Sequence, residues 1–280
     1  MASLSYERIV ASKPFRILVG PDKKEFMVHA ELLAHLSKPL GALVNNNMKE
    51  SNEGVAEWPE VDEGTFVRFC QFAYTGSYEE PKPEFIHIVK EDSEIAPEPA
   101  PEPAPEPPPE ELVSGDFGSW GVFPKEKKKG ISSRPSNNNR LWNRFKALSY
   151  GVPSSSTGIL KLPPISQLNY TEVFLSHARL YILADYYDIQ TLATLSLKKL
   201  HILLVGFDLI CGGVGGIATL VEYSYQNTAD KGAHKDELRS LLTQYIACKI
   251  DVLWKSPHFR DVLEGFGEFS AAIIGEMMRG

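Results

Sequence analysis

Residues 15–44 have the sequence FRILVGPDKKEFMVHAELLAHLSKPLGALV, in which two β-rich runs are followed by apolar residues at helical spacing. FRILVG and EFMVH are short β-rich runs on either side of the turn signal PDKK, a pattern that predicts a β-hairpin. From Ala30 apolar residues recur at helical spacing, and Pro39 divides that region into two short helices that meet at 37–38. The leucines on one side are Leu32, Leu33, Leu36, Leu40 and Leu43.

The residues that follow predict a third strand and a further helix. GVAEW, at 54–58, has the composition of a short strand. Asp62 is placed to cap a helix that Gly76 ends. The apolar face of that helix carries Phe66, Phe69, Cys70, Phe72 and Ala73. A sheet this small needs helices on its faces, so we expect an α+β fold with three strands.

Composition and charge limit the classes of function. The chain has 280 residues, a formal net charge of −7 and a pI of about 5.6, which argues against direct nucleic-acid binding. Three separated cysteines, Cys70, Cys211 and Cys248, argue against a disulfide framework and a zinc site and favour a reducing compartment. The first eight residues do not resemble a secretory signal, so we expect an intracellular protein of the cytoplasm or nucleus.

One long apolar stretch raises the question of a membrane span. Residues 200–221 are mostly apolar, but Asp208 lies near their middle and four glycines follow within 212–216. A central aspartate opposes insertion into a bilayer. We therefore predict a buried helix, a glycine-rich break and a second helix, with no membrane contact.

The middle of the chain differs in composition from both ends. Residues 96–111 repeat proline and glutamate, which predicts extended polyproline II conformations and disorder. A basic run follows at Lys125, Lys127, Lys128 and Lys129, and it is either a nuclear localisation signal or a charge balance to the acidic tract. Within this region, LWNRFKAL at 141–148 has the spacing of a short docking helix.

From Tyr170 the chain predicts helices throughout. Residues 171–200 are strongly helical in pattern, and Asp188 is predicted to cap a second helix that starts at Ile189 and Gln190. Three more amphipathic helices are expected, the last starting at Ser256 and Pro257. They cover 217–228, 237–254 and 256–279.

The front of the chain resembles the BTB/POZ domain. The resemblance rests on the order of the hairpin, Phe26, Val28-His29, Leu33-Ala34, Ser37, Leu40, Met48, Glu50-Ser51, Val55, Val61, Phe66, Phe69 and Tyr74-Thr75-Gly76. Residues 178–189, with Ala193, Leu197 and Leu200, look like the family's next helical pair. The whole is similar to fungal BTB proteins without Kelch, MATH or zinc-finger domains.

The resemblance implies a divided domain. The expected parts are an N-terminal arm (1–12), the first part of the core (13–78), a disordered insert (79–169), the helical pair of the core (170–200) and a C-terminal helical region (201–280).

The resemblance also implies a function: a non-enzymatic protein–protein interaction module with protein partners and no cofactor. Met48-Lys49-Glu50 fits the hydrophobic-x-Glu pattern with which some family members contact cullin, so Met48 and Glu50 are candidate partner contacts. An adaptor of a cullin ubiquitin ligase and a nuclear, transcription-associated protein are the alternatives. The alternative interpretation of Met48 and Glu50 is a solvated connection between a helix and a strand. Other expected contact surfaces are the edge of the first strand and the C-terminal helices.

Whether the chain forms a homodimer is left open by the sequence. Dimeric animal members of the family carry an acidic and a basic residue at the positions that Phe15 and Ala30 occupy here. That departure, together with a short N-terminal arm, leaves the mode of self-association undecided.

No catalytic or metal-binding set is evident. Gly213 to Ala218 fit GxGxxA, but a dinucleotide site needs a preceding strand, and none is predicted. His29 is expected to be structural, packing and bonding at a strand–helix junction. His35, His177 and His201 lack partners at metal spacing and are interpreted as ordinary helix residues. We therefore expect no enzyme.

Overall fold

The hairpin predicted at residues 15–29 is present, and a third strand extends it into a sheet. The computed structural model describes residues 5–46, 49–85, 137–151, 168–207, 209, 213–231 and 234–279. The strands are β1 (Pro14–Val19), β2 (Lys24–His29), β3 (Val55–Trp58), β4 (Glu84–Phe85) and β5 (Leu168–Asn169). The helices are α1 (Tyr6–Ala11), α2 (Ala30–Leu36), α3 (Lys38–Asn45), α4 (Lys49–Glu53), α5 (Glu63–Thr75), α6 (Asn137–Lys146), α7 (Thr171–Tyr186), α8 (Gln190–Gly206), α9 (Val214–Asn227), α10 (Glu237–Leu253), α11 (Pro257–Gly265) and α12 (Gly267–Met278).

The main sheet has the strand order β2-β1-β3. Strand β1 is antiparallel to β2 and parallel to β3, so both of its edges are hydrogen-bonded. The expectation that the edge of the first strand is an exposed contact surface is therefore wrong. A parallel neighbour requires a crossover connection, and the helices α2 to α4 provide it.

One face of this sheet is buried and the other is open. Along β1 the buried side chains are Phe15, Ile17 and Val19, which alternate with exposed or half-buried ones. On the opposite face Met27 is 61% exposed and registers with Arg16. This alternation is the pattern of a sheet that is covered by helices on one side.

The helices that cover the sheet begin and end at capping residues of the local sequence. Leu33 and Leu40, which are fully buried, join α2 and α3 to the core. The hydroxyl of Ser37 accepts from the amide of Leu40 at 3.3 Å and caps α3. Asp62 Oδ1 accepts from the amide of Thr65 at 2.9 Å and caps α5, and Gly76 ends α5 with a φ of 77°. The predicted caps and stops of this region are confirmed.

Helices α7 and α8 form an antiparallel pair whose junction differs from the prediction. Asp188 lies in the left-handed region with a φ of 54°, and its carboxylate accepts from the side-chain amide of Gln190 at 2.9 Å. The residue before α8 is Ile189, which makes no side-chain cap. The prediction that Asp188 caps α8 is therefore wrong, because its backbone makes the turn between the two helices.

The predicted docking helix within the middle region is present as α6. Its Leu141 and Phe145 are 6% and 1% exposed. Trp142 lies beneath the ammonium group of Lys249 of α10, with 4.3 Å from Nζ to the ring centroid. The other residues of the predicted disordered insert, apart from 79–85, 147–151 and 168–169, lie outside the described residues. Strands β4 and β5 pair across the two ends of that region.

The C-terminal helices pack on one another and on α6 and α8. Gly213 precedes α9 with a φ of 85°, and a Cβ atom there would lie 2.4 Å from the Phe207 ring, so a glycine is required at this break. The single helix predicted for 256–279 is instead two, α11 and α12, which meet at Phe266. Within the part of the chain that the structure describes, no helix is long and apolar enough to cross a membrane.

The fold as a whole is a mixed α+β architecture, mostly helical, with a small three-stranded sheet. Among the described residues, buried apolar side chains of the sheet, α5, α6 and the C-terminal helices form one continuous cluster. The front of the chain and the helices beyond the middle region therefore share a core.

Candidate protein-interaction surface

A groove of about 670 Å³ lies where the N-terminal residues meet α2, α3 and α4. We call it the N-terminal groove. Its lining includes apolar residues, among them Phe15, which is 3% exposed, and Ala30, which is half-buried. Residues around it are mainly polar or charged and include Arg8, Lys13, Glu31 and Asn52. Protein-binding surfaces combine apolar residues with polar and charged ones in this way.

Helix α1 forms one wall of this groove, and the sequence explains its position. Ser5 caps α1 by accepting from the amide of Arg8 at 3.3 Å. The guanidinium of Arg8 donates to Glu31 of α2 at 3.0 Å. At the other end, the Ser12 hydroxyl donates to the carbonyl of Ile9 at 2.8 Å and accepts from the amide of Glu31 at 3.4 Å. Because the Arg8–Glu31 pair is exposed, it positions α1 but contributes little stability.

The outer face of α1 is apolar and exposed. Tyr6 is 76% exposed and Val10 is 54% exposed, one helical turn apart. Tyr6 and Val10 therefore form a small exposed apolar surface on α1, beside the residues that line the groove.

The predicted contact residues fall partly within this region. Glu50 is half-buried on α4, and its neighbour Ser51 lines the groove. Met48 lies outside the described residues, as do Lys125, Lys127, Lys128 and Lys129 of the basic run. The structure thus places Glu50 beside the groove but does not describe the other candidate contacts.

His29 has the structural role that its position predicts. It precedes α2, and its Nδ1 lies 2.7 Å from the hydroxyl of Tyr74, on α5. The two rings meet edge to face, with 5.9 Å between their centroids. His29 therefore joins the end of β2 to α5.

His177 and His201 are not ordinary helix residues. His177 is 2% exposed, and its Nδ1 lies 2.7 Å from the hydroxyl of Tyr78, a residue 99 positions earlier. His201 is 6% exposed, and its Nε2 lies 2.9 Å from the carbonyl oxygen of Phe145, so it holds α6. Both side chains join segments that are distant in sequence.

Acid is expected to destabilise the protein through His177. Burial lowers the pKa of His177 from 6.5 to about 4. Between these values the unfolded chain binds a proton that the folded chain does not, so the free energy of unfolding falls as the pH falls below 6.5. The full shift corresponds to about 3 kcal/mol. Urea unfolding at pH 7.5 and pH 4.5 measures this loss.

The variant His177→Asn isolates that contribution. Asparagine retains a hydrogen-bonding group near Tyr78 but does not titrate. We expect the variant to be less stable at neutral pH and to lose less of its stability on acidification. Equal pH dependence in the two proteins would contradict the role of His177.

The other residues considered as possible sites have structural roles in the helices. Gly213 to Ala218 span the start of α9, and α8 precedes them in the chain. Asp185 pairs with Lys231, with 2.7 Å from Oδ1 to Nζ. Among the described residues, no group of three or more histidine, cysteine, aspartate or glutamate side chains could hold a metal ion. The cysteines that the structure describes, Cys70 and Cys248, are free thiols.

The contribution of α1 to the groove is not predicted from the sequence. Residues 1–12 are expected only to form a short arm, although Ser5 and the apolar spacing of Tyr6, Ile9 and Val10 indicate a capped turn of helix. Six residues are too few for helical periodicity to be distinguished from chance. The pairing with Glu31 depends on the tertiary fold.

Comparison with protein-family models gives no match to this chain, and a search of the curated proteins gives none either.

Proposed function

We propose that the chain is a non-enzymatic protein–protein interaction module of the BTB/POZ type. The observation that carries the proposal is the order of its elements. A hairpin is followed by the helices α2 and α3, by β3 parallel to β1, by α5 and, after the middle region, by the pair α7 and α8. This is the order that the sequence resemblance implies for residues 13–78 and 170–200.

The N-terminal groove is the proposed contact surface for a protein partner. Phe15 and Ala30 are among its lining residues, and Tyr6 and Val10 are exposed beside it on α1. A partner segment that buried Tyr6 and Val10 would gain the hydrophobic contribution, while the polar residues around the groove would set its orientation. The partner is either a second copy of the chain or another protein.

The proposal is tested by filling the groove. Ala11 is exposed and lines it, so Ala11→Arg places a long charged side chain there without changing the core. We expect the variant to lose partner proteins that wild type captures from cells, as identified by mass spectrometry. A second copy with a different tag, expressed in the same cells, reports self-association.

Ala229→Arg is the matched control, because Ala229 is exposed, follows α9 and does not line the groove. It should capture the same partners as wild type. An identical set of partners for wild type and Ala11→Arg would contradict the groove as the contact surface.

A narrower proposal is that the partner is cullin and that the chain is an adaptor of a ubiquitin ligase. Its support is the half-buried position of Glu50 on α4, beside the groove. In a pull-down with purified cullin, Glu50→Ala should reduce binding by about tenfold, as expected when one buried polar contact is lost. Glu53→Ala, at an exposed position of the same helix, should bind as wild type does. No binding by wild type would exclude cullin.

A further inference from the structure

A second cavity lies at the opposite end of β3 from the N-terminal groove. Gly54, which precedes β3, lines the groove, whereas Trp58, the last residue of β3, lines this cavity. The four residues of β3 separate the two by roughly 13 Å along the strand. The cavity has a volume of about 330 Å³ and lies between the β3–α5 connection, the end of α7 and α9. We call it the aromatic cleft.

Aromatic side chains form much of its lining. Trp58 and Tyr187 stack with 4.6 Å between their centroids, and Tyr186 meets Tyr187 edge to face at 4.8 Å. Trp58 is 4% exposed, whereas Tyr186 is 77% exposed and lies at the mouth. The cleft is therefore open to solvent on one side, and an occupant can enter without any rearrangement of Trp58.

The lining residues of the cleft carry more carboxylates than cationic groups, although one of these carboxylates, Glu57, is paired with Lys23 at 3.0 Å. Glu57, Glu60 and Asp62 line it, with Arg179 as the one guanidinium among its lining residues. Arg179 is already engaged, because it donates to Glu172 at 2.8 Å and lies 3.8 Å from the carboxylate of Asp62. A phosphate or an acidic segment would therefore be repelled, and a cation would be attracted.

Arg179 shows how this wall accommodates a cation. Its guanidinium lies over the ring of Tyr223, with 5.7 Å from Cζ to the centroid, and beside the carboxylate of Asp62. An aromatic face together with a carboxylate is a favourable environment for a cationic side chain. The outer part of the cleft offers the same two groups, with Tyr186 exposed and Glu60 exposed.

We propose that the aromatic cleft binds a short basic segment of a partner protein. A lysine or arginine of that segment lies against Tyr186 and directs its charge toward Glu60. An adjacent apolar residue packs on Ile182 and Leu183, which also line the cleft. A cavity of 330 Å³ is at the small end of the range for ligand sites, so it takes one or two side chains of an extended peptide.

The test selects peptides from a displayed library of random twelve-residue sequences on the full chain. We expect the selected peptides to carry lysine or arginine next to an apolar residue. Their dissociation constants, measured by fluorescence anisotropy, should rise at least fivefold for Tyr186→Ala and about threefold for Glu60→Gln. Raising the salt concentration should weaken binding further, because the attraction is partly electrostatic.

Two matched controls separate this cleft from the N-terminal groove. Tyr6→Ala removes a tyrosine of almost equal exposure from α1, and Glu53→Gln removes an exposed carboxylate from α4. Both should leave the affinity of the selected peptides unchanged. Since Tyr186 is 77% exposed, Tyr186→Ala should also keep the melting temperature of wild type.

Three results would overturn the inference. They are a selection that yields no binding peptide, selected peptides without a basic residue, and peptides that bind Tyr186→Ala as tightly as wild type. If Tyr6→Ala or Ala11→Arg weakened the binding of the peptides and Tyr186→Ala did not, the peptides would be assigned to the N-terminal groove. That result would support the proposed function while rejecting the aromatic cleft.

Discussion

Leu33→Asp is expected to abolish cooperative folding of the protein. Leu33 is fully buried on α2, in the core that α2 and α3 share with the sheet. Aspartate would place a carboxylate there in the position of an apolar side chain. Such a group either stays charged without a partner or takes up a proton, and the cost of several kcal/mol is comparable to the entire stability of a domain.

The measurement is circular dichroism during thermal and urea unfolding. We expect the Leu33→Asp protein to show no cooperative transition or to be recovered only as aggregate. Lys38→Asp is the control, because Lys38 is exposed at the first position of α3, where a negative charge interacts favourably with the helix dipole. A Leu33→Asp protein that melts at the wild-type temperature would refute the assignment of this helix face to the core.

Arg239→Ala is expected to cost about 2–5 kcal/mol of stability, because two carbonyl groups each lose a charged donor at about 1–3 kcal/mol apiece. The side chain of Arg239 is 8% exposed. Its guanidinium donates to the carbonyls of Tyr225 and Thr228, at the end of α9, and to Glu268 of α12 at 3.0 Å. The same group lies over the Tyr225 ring, with 4.4 Å from Cζ to the centroid.

The loss arises mainly from carbonyl groups that would be left without a donor. The last carbonyls of a helix have no partner within the helix, and Arg239 supplies one for α9. Arg239→Lys keeps the charge but cannot form the planar set of bonds, so it should recover only part of the loss. Urea midpoints of the three proteins measure the difference. Equal midpoints for Arg239→Ala and wild type would show that solvent replaces these bonds.

The parts of the fold that the sequence predicts are those that local residues decide. Asp62 and Gly76 form their capping hydrogen bonds with residues three and four positions away. The leucines at 32–43 indicate a buried helix face by their spacing alone. The order of the strands in the sheet, by contrast, is not decided by local residues. Whether β1 is central depends on where β3 returns after three helices, and no local pattern contains that information.

The break between α11 and α12 shows the same limit. Apolar residues continue at helical spacing through 256–279, which predicts one helix. Phe266 adopts a non-helical backbone between Gly265 and Gly267, and its ring packs 5.7 Å from that of Tyr225, centroid to centroid. Each glycine costs a helix about 1 kcal/mol, so tertiary packing decides the outcome.

The candidate surfaces were less predictable than the fold. Glu50 was identified from a three-residue pattern, but the groove beside it requires α1, whose Arg8 contacts Glu31 at a separation of 23 residues. The aromatic cleft joins Trp58, Tyr186 and Tyr223 from three separate elements. Neither set has a spacing in sequence that would mark it as a site.

The pairing of residues across the middle region has a consequence for the integrity of the protein. Trp58 stacks on Tyr187, Tyr78 bonds to His177, and Lys199 donates to Glu80 at 3.0 Å. All three contacts join a residue before position 86 to one after position 136. A protease that cuts between those positions would therefore leave two fragments that share one core, and neither would hold a complete core alone. Expressed separately, the two fragments should reconstitute the protein by complementation.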